Sequence, residues 1–126
     1  GKNDQKDLAF ETLAIHCGSE PDPVTGASSP SIVQSTSFTF RDAQHAADAF
    51  ALKEPAFIYG RINNPTVDAL ERKIAALEGG AGATCTSSGL SANLLAFSAL
   101  LRPGDEFVST NKMYGGTIGQ FRDTFN

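Results

Sequence analysis

Three short stretches hold the residues best suited to chemistry. Thr86-Ser87-Ser88-Gly89-Leu90 stands between a short strand-like run and a long apolar helical run. A strand that turns through Ser-Ser-Gly into a helix is an anion site in outline. The first amides of the helix have no partner within it, and the positive end of its dipole lies there. Gly89 allows an anion close to the backbone, and the hydroxyls of Ser87 and Ser88 can cap the helix or donate to an oxyanion. The second stretch is Tyr59-Gly60-Arg61. An arginine clamps a phosphate through two parallel hydrogen bonds, and an extended Tyr-x-Arg points both side chains the same way. The third is Tyr114, beside Gly115 and Gly116 in a loop. Each has a plainer explanation when taken alone: a helix cap, a solvated charge, a packed ring. Together they outline a site for a phosphate-bearing ligand.

The surrounding elements must position these residues. Apolar spacing predicts a helix over 90–101, greasy nearly all round and therefore expected to be buried on more than one side. Runs 82–86 and 106–110 read as strands, separated by the Arg102-Pro103-Gly104-Asp105 turn. Ile118, Phe121 and Phe125 predict a further helix. Upstream, Asn64 as a cap and Pro65 in the first turn open the clearest helix, with Val67, Leu70, Ile74 and Leu77 on one face. Asp68 and Arg72 are spaced to pair, and Gly79-Gly80 ends the helix. Asp42 caps a shorter helix over 43–52, halted by Pro55. Residues 21–30, punctuated by Pro21, Pro23, Gly26 and Pro30, read as an extended arm, 31–40 as extended chain, and 1–7 as a disordered tail. The order helix, strand, helix, strand, helix implies a parallel sheet with helices on its faces, and such sheets bind ligands at the carboxyl ends of their strands. Two strands cannot form a buried parallel sheet, so the chain is expected to be a piece of a larger domain or to rely on partners.

With 126 residues and 40% hydrophobic content, the chain suits one small domain. A net charge of −4 without any basic run argues against nucleic acid or an anionic membrane as partner. No stretch approaches the roughly 20 apolar residues of a membrane span. Cys17 and Cys85 are far apart, and the polar start carries no secretory signal, which favours two reduced thiols over a disulfide. Two histidines with no CxxC or HExxH leave no metal site to expect.

In its motifs the chain resembles the N-terminal part of the Cys/Met-metabolism family of pyridoxal-phosphate (PLP) enzymes. The matching stretches are residues 11–18, 30–38, 59–66 (Tyr-Gly-Arg-Ile-Asn-Asn-Pro-Thr), 77–80, Ser87-Ser88-Gly89, 101–105 and 113–117 (Met-Tyr-Gly-Gly-Thr). They run in the family's order over nearly the whole chain. The resemblance implies an α/β fold: the N-terminal part of the PLP-dependent transferase fold, aspartate aminotransferase-like and fold type I. An extended arm would precede a parallel-sheet α/β segment. Residues 1–57 would then be an arm and short helix for subunit contact, and 58–126 the first part of the PLP-binding domain.

The same resemblance implies roles. Ser88 and the Gly89 and Leu90 amides would hold the phosphate of pyridoxal 5'-phosphate. Tyr59 and Arg61 would complete that site from a neighbouring subunit. Tyr114 would be both cofactor-binding, stacking on the pyridine ring, and catalytic, assisting proton transfer at the leaving group. Residues 21–27 and 45–54 resemble the sulfhydrylase branch, which replaces the acetate of O-acetyl-L-homoserine with sulfide to give homocysteine. Leu90 departs from the glutamine common there, at a position expected to offer only its amide. Methionine γ-lyase or cystathionine γ-synthase/lyase chemistry on the same framework is the alternative, and a non-catalytic association module is a further one. The branch also implies an amino-acid substrate with sulfide, no nucleic acid or membrane, a cytoplasmic location, and a homotetramer of dimers that share active sites. The family's Schiff-base lysine and its pyridine-nitrogen aspartate are expected beyond residue 126. None of Lys2, Lys6, Lys53, Lys73 and Lys112 sits in the catalytic context, so this chain alone is not expected to complete the reaction.

Overall fold

A computed structural model of the chain describes residues 8–125. The tail expected to be disordered, residues 1–7, lies outside them. The chain divides into two compact units, Gly1–Thr84 and Cys85–Asn126.

In the first unit the helix with the strongest start signal is α3 (Pro65–Leu77). The Asn64 side chain accepts from the Thr66 amide at 2.9 Å, and Pro65 occupies the first turn, where its missing N–H costs nothing. Arg72 Nε lies 2.9 Å from Asp68 Oδ2 one turn back, a pair worth about 0.3 kcal/mol. Beyond the last turn Gly79 adopts φ +63. The Gly79 and Gly80 amides then donate to Ala76 O (3.3 Å) and Ala75 O (2.8 Å), which satisfies carbonyls the helix leaves open.

The preceding helix, α2 (Ala43–Phe50), begins where Asp42 Oδ1 accepts from the His45 amide at 2.7 Å. It ends two residues before its expected end and well before Pro55. Leu52 takes the left-handed conformation (φ 55), with its amide on Ala49 O and that of Lys53 on Asp48 O. This is the same closing motif as at Gly79, built on a residue whose Cβ opposes it. Leu52 is 87% exposed, so little packing offsets the strain. Leu52→Gly is therefore expected to stabilise the protein by about 0.5 to 1 kcal/mol, read as a higher urea midpoint at unchanged slope.

A helix absent from the sequence reading, α1 (Phe10–His16), precedes both. Ala9 gives it no side-chain cap, so local signals are weak, and docking on α3 supplies what they lack. Cys17 is buried, with its thiol 3.8 Å from Arg72 O. Lys73 Nζ donates to Ile15 O and Arg72 Nη2 to Gly18 O. Gly18 sits at φ +73, and a Cβ there would overlap the Ala69 carbonyl oxygen. The arm that follows is not extended throughout. Asp22 Oδ1 accepts from the amides of Val24 and Thr25 and from the Thr25 hydroxyl, and this closes a tight turn. Those bonds, the Thr25 amide foremost, hold the Asp22 carboxyl below its ordinary pKa. Neither cysteine forms a disulfide.

The second unit contains α4 (Gly89–Leu100) and α5 (Gly115–Asp123), which pack on each other. Phe97 gathers Phe107, Phe121 and Phe125 around it, with ring centroids 4.7, 4.9 and 5.6 Å away. The turn between is closed by the Asp105 amide on Arg102 O and the Arg102 amide on Asp105 Oδ2, with Gly104 at φ +97. Two expectations are not met here. Residues 82–86 and 106–110 form no strand ladder among the described residues, where the one bridge joins Ser37 and Tyr59 in antiparallel sense. And no residue of α4 is buried. Both have one physical reason: a ladder needs paired neighbours, and an all-round apolar helix needs cover on several faces, whereas within its unit α4 has only α5 as a helical neighbour, with Phe107 beside Phe97.

Candidate cofactor-binding site

The Ser-Ser-Gly turn opens a helix as expected, one residue earlier than the apolar spacing indicates. Ser88 is the N-cap: its Oγ accepts from the Ser91 amide at 3.1 Å and lies 2.9 Å from Ser91 Oγ. Thr86 Oγ1 donates to Ser88 O at 2.8 Å, which fixes the turn from the other side. Among the described residues the Gly89 and Leu90 amides have no acceptor. A Cβ built on Gly89 would meet no atom within 4 Å. The start of α4 therefore presents two free N–H groups and a hydroxyl-bearing cap to open space. Anionic oxygens take up such donors, and the helix dipole adds to the attraction. A phosphate monoester such as that of pyridoxal phosphate fits this chemistry.

Tyr114 belongs to the same unit. It is the N-cap residue of α5, where its carbonyl accepts from Thr117 and Ile118, and its side chain is 76% exposed. Its ring lies across Gly116: a Cβ there would fall 2.6 Å from Tyr114 Cε1 and 3.5 Å from Leu90 Cδ1. Gly116 thus leaves the space that the ring fills and also borders the first turn of α4. Two further bonds hold the starts of these helices together. Gln120 Nε2 donates to Leu90 O at 2.9 Å, and Asn93 Nδ2 to Thr117 Oγ1 at 3.4 Å. From sequence Gly116 stood only as a neighbour of Tyr114, with no role of its own, and Gln120 was missed. For Gly116 the signal was a glycine beside an aromatic residue at a helix start; for Gln120 there was none.

Tyr59 and Arg61 lie in the first unit and come together differently from expectation. They are not on a strand. Tyr59 makes an antiparallel bridge to Ser37, the Gly60 amide donates to Thr36 O at 2.7 Å, and the chain then turns. The amides of Ile62 and Asn63 fold back onto Tyr59 O at 2.8 and 3.1 Å. The two side chains meet because the turn stacks them, with Arg61 Cζ 5.5 Å from the Tyr59 ring centroid. Gly60 is held closely, since a Cβ would lie 3.0 Å from Ser35 O. Among the described residues no carboxylate pairs with the Arg61 guanidinium, which is exposed beside a shallow hollow bordered by Ser35, Thr36, Asn64 and Thr66. Among the described residues its donors have no acceptor. No cluster of three potential metal ligands occurs among the described residues, and none of their helices is long and apolar enough to cross a membrane.

Residues 11–126 match the family described as Cys/Met metabolism PLP-dependent enzymes, and the chain belongs to that family. Its similarities within the family are specific. O-acetyl-L-homoserine sulfhydrylase 1 of Thermus thermophilus is 50% identical over 117 residues, 93% of this chain and 28% of that protein. Homocysteine synthase of Schizosaccharomyces pombe is 49% identical over 91% of this chain and 27% of its own. A solved structure of a candidate O-acetylhomoserine (thiol)-lyase from Campylobacter jejuni, carrying N'-pyridoxyl-lysine-5'-monophosphate, superposes with a TM-score of 0.86 at 36% identity. That match covers 94% of this chain and 29% of the other. The fold is that of the N-terminal part of these PLP-dependent enzymes, and the chain spans a little over a quarter of the length of the curated relatives it matches.

Proposed function

We propose that this chain supplies the subunit-contact arm and the first part of the cofactor domain of an O-acetylhomoserine sulfhydrylase. The observation that carries the reading is the open start of α4, with two free amides and Tyr114 held beside it, in a chain half identical to such an enzyme. Residues 1–57 would form the arm and 58–126 the opening of the PLP-binding domain. Residues 82–86 and 106–110 would become parallel strands once neighbouring strands of the whole domain pair with them. The enzyme would be a cytoplasmic homotetramer, built of dimers that share active sites.

In this reading the Gly89 and Leu90 amides and the Ser88 hydroxyl bind the cofactor phosphate. Tyr59 and Arg61 of the neighbouring subunit complete its shell, the guanidinium through two parallel bonds. Tyr114 orients the pyridine ring by stacking and, through Oη, moves a proton at the leaving oxygen. When bound, pyridoxal phosphate supplies an electron sink for a carbanion of the amino-acid substrate. The net change is cleavage of the Cγ–O bond, acetate leaving with the electron pair, and formation of a Cγ–S bond to sulfide, which gives homocysteine. The full-length enzyme, given O-acetylhomoserine and sulfide, is expected to release acetate and homocysteine in equal amounts and to leave methionine intact. Release of a volatile thiol and a 2-oxo acid from methionine alone would assign the chain to a lyase instead.

A further inference from the structure

One side chain near the Tyr59–Arg61 pair has a role that no motif suggests. Asn63 stands beside the helix cap Asn64 but does not cap α3. It reaches back across the preceding turn instead. Its Nδ2 donates to Ala56 O at 2.7 Å, and its Oδ1 accepts from the Ile58 amide at 3.2 Å. Its own amide donates to Tyr59 O at 3.1 Å. The amide group therefore clasps the segment that enters the turn to the residue that leaves it, with Tyr59, Gly60 and Arg61 between. On the other side the Ser37–Tyr59 bridge and the Gly60 amide on Thr36 O hold the same turn. Asn63 is partly buried and both of its polar side-chain atoms are used, so its geometry is fixed. Arg61 at the tip has the Tyr59 ring beside it and an exposed guanidinium with several free torsions. The turn's backbone sets where the Arg61 and Tyr59 side chains start, and so which positions their donors can reach together.

We infer that Asn63 is a positioning residue for phosphate binding: it presets the turn so that Arg61 and Tyr59 present their donors together. The inference rests on the reading that Arg61 binds the cofactor phosphate. Removing the clasp leaves Ala56 O and Ile58 N without their partner and lets the turn sample other conformations. Binding must then reorder it, which weakens affinity without removing any ligand contact. The share of the effect that passes through Arg61 is lost when Arg61 is absent, so the factor must shrink there, and this separates positioning from general support of the fold.

The experiment is a double-substitution cycle in the full-length enzyme. The readouts are the Kd for pyridoxal phosphate, from titration of the apoenzyme, and the apoenzyme melting temperature. Asn63→Ala is expected to raise Kd about tenfold with Arg61 present and only about two- to threefold, through Tyr59, in the Arg61→Ala background. Equal factors in the two backgrounds would overturn the inference, as would an unchanged Kd with Arg61 present. Should Arg61→Ala alone leave Kd unchanged, the reading of Arg61 as a phosphate ligand fails and this inference fails with it, a distinguishable result. If the alanine variant does not fold, Asn63→Gln, which retains the amide but displaces it by one methylene, runs through the same cycle with the same criteria.

Discussion

Gly18→Ala is expected to cost about 3 kcal/mol of stability and to free α1 from α3. Two penalties coincide at this position. The residue sits at φ +73, where an L side chain is strained by about 1 to 2 kcal/mol. The new methyl group would also run into the Ala69 carbonyl oxygen, which belongs to the middle of α3 and cannot turn aside. Gly26 provides the control. It has nearly the same φ, +71, with no atom within 4 Å of a built Cβ, so Gly26→Ala should cost only the strain, about 1 kcal/mol. Urea denaturation of both variants measures the difference, and proteolysis at residues 17–20 reports the release of α1. Equal costs would show that the approach of Gly18 to Ala69 contributes nothing.

Arg61→Ala is expected to weaken pyridoxal phosphate binding by roughly thirtyfold, about 2 kcal/mol for one bidentate phosphate contact. Thermal stability should hardly change. The guanidinium is exposed, has no carboxylate partner among the described residues, and stacks on Tyr59 at an exposed site, where such contacts are worth about 0.5 kcal/mol. Arg61→Lys keeps the charge and loses the fork, so its affinity should fall between the two. Cofactor titration of the apoenzyme beside its melting curve tests both parts. A large fall in melting temperature with affinity intact would make Arg61 a structural residue.

What the sequence made legible was mostly what neighbouring residues decide. Asp42, Asn64 and Ser88 accept the amides that their types and places foretell, because a cap is a bond within three residues of chain. Gly79 and the Asp105 turn are local in the same way. The candidate site residues could be picked out by type, whereas their arrangement could not. Tyr59 and Arg61 read as an alternating strand, yet the bond from Gly60 to Thr36 and the fold-back onto Tyr59 O make a turn of them. α1 carries no cap and owes its place to contacts with α3, such as Gly18 on Ala69, that nothing in its own residues announces. Asn63 looks like half of a cap; that it clasps Ala56 and Ile58 depends on where the chain before it runs. The strands at 82–86 and 106–110 have suitable residues but no ladder among the described residues, since a strand is defined by its neighbour.

We propose that two stretches of this chain hold one cofactor phosphate from opposite subunits: the Gly89 turn from its own, and Arg61 from the neighbour. The most direct test mixes Arg61→Ala subunits, at a cofactor concentration too low to fill their own sites, with subunits inactivated at the lysine to which the cofactor attaches. Each mixed dimer should then contain one site with both an intact lysine and an intact Arg61, so activity should return on mixing. If mass measurement confirms that mixed dimers have formed and activity does not return, Arg61 serves its own subunit or none, and the account is contradicted.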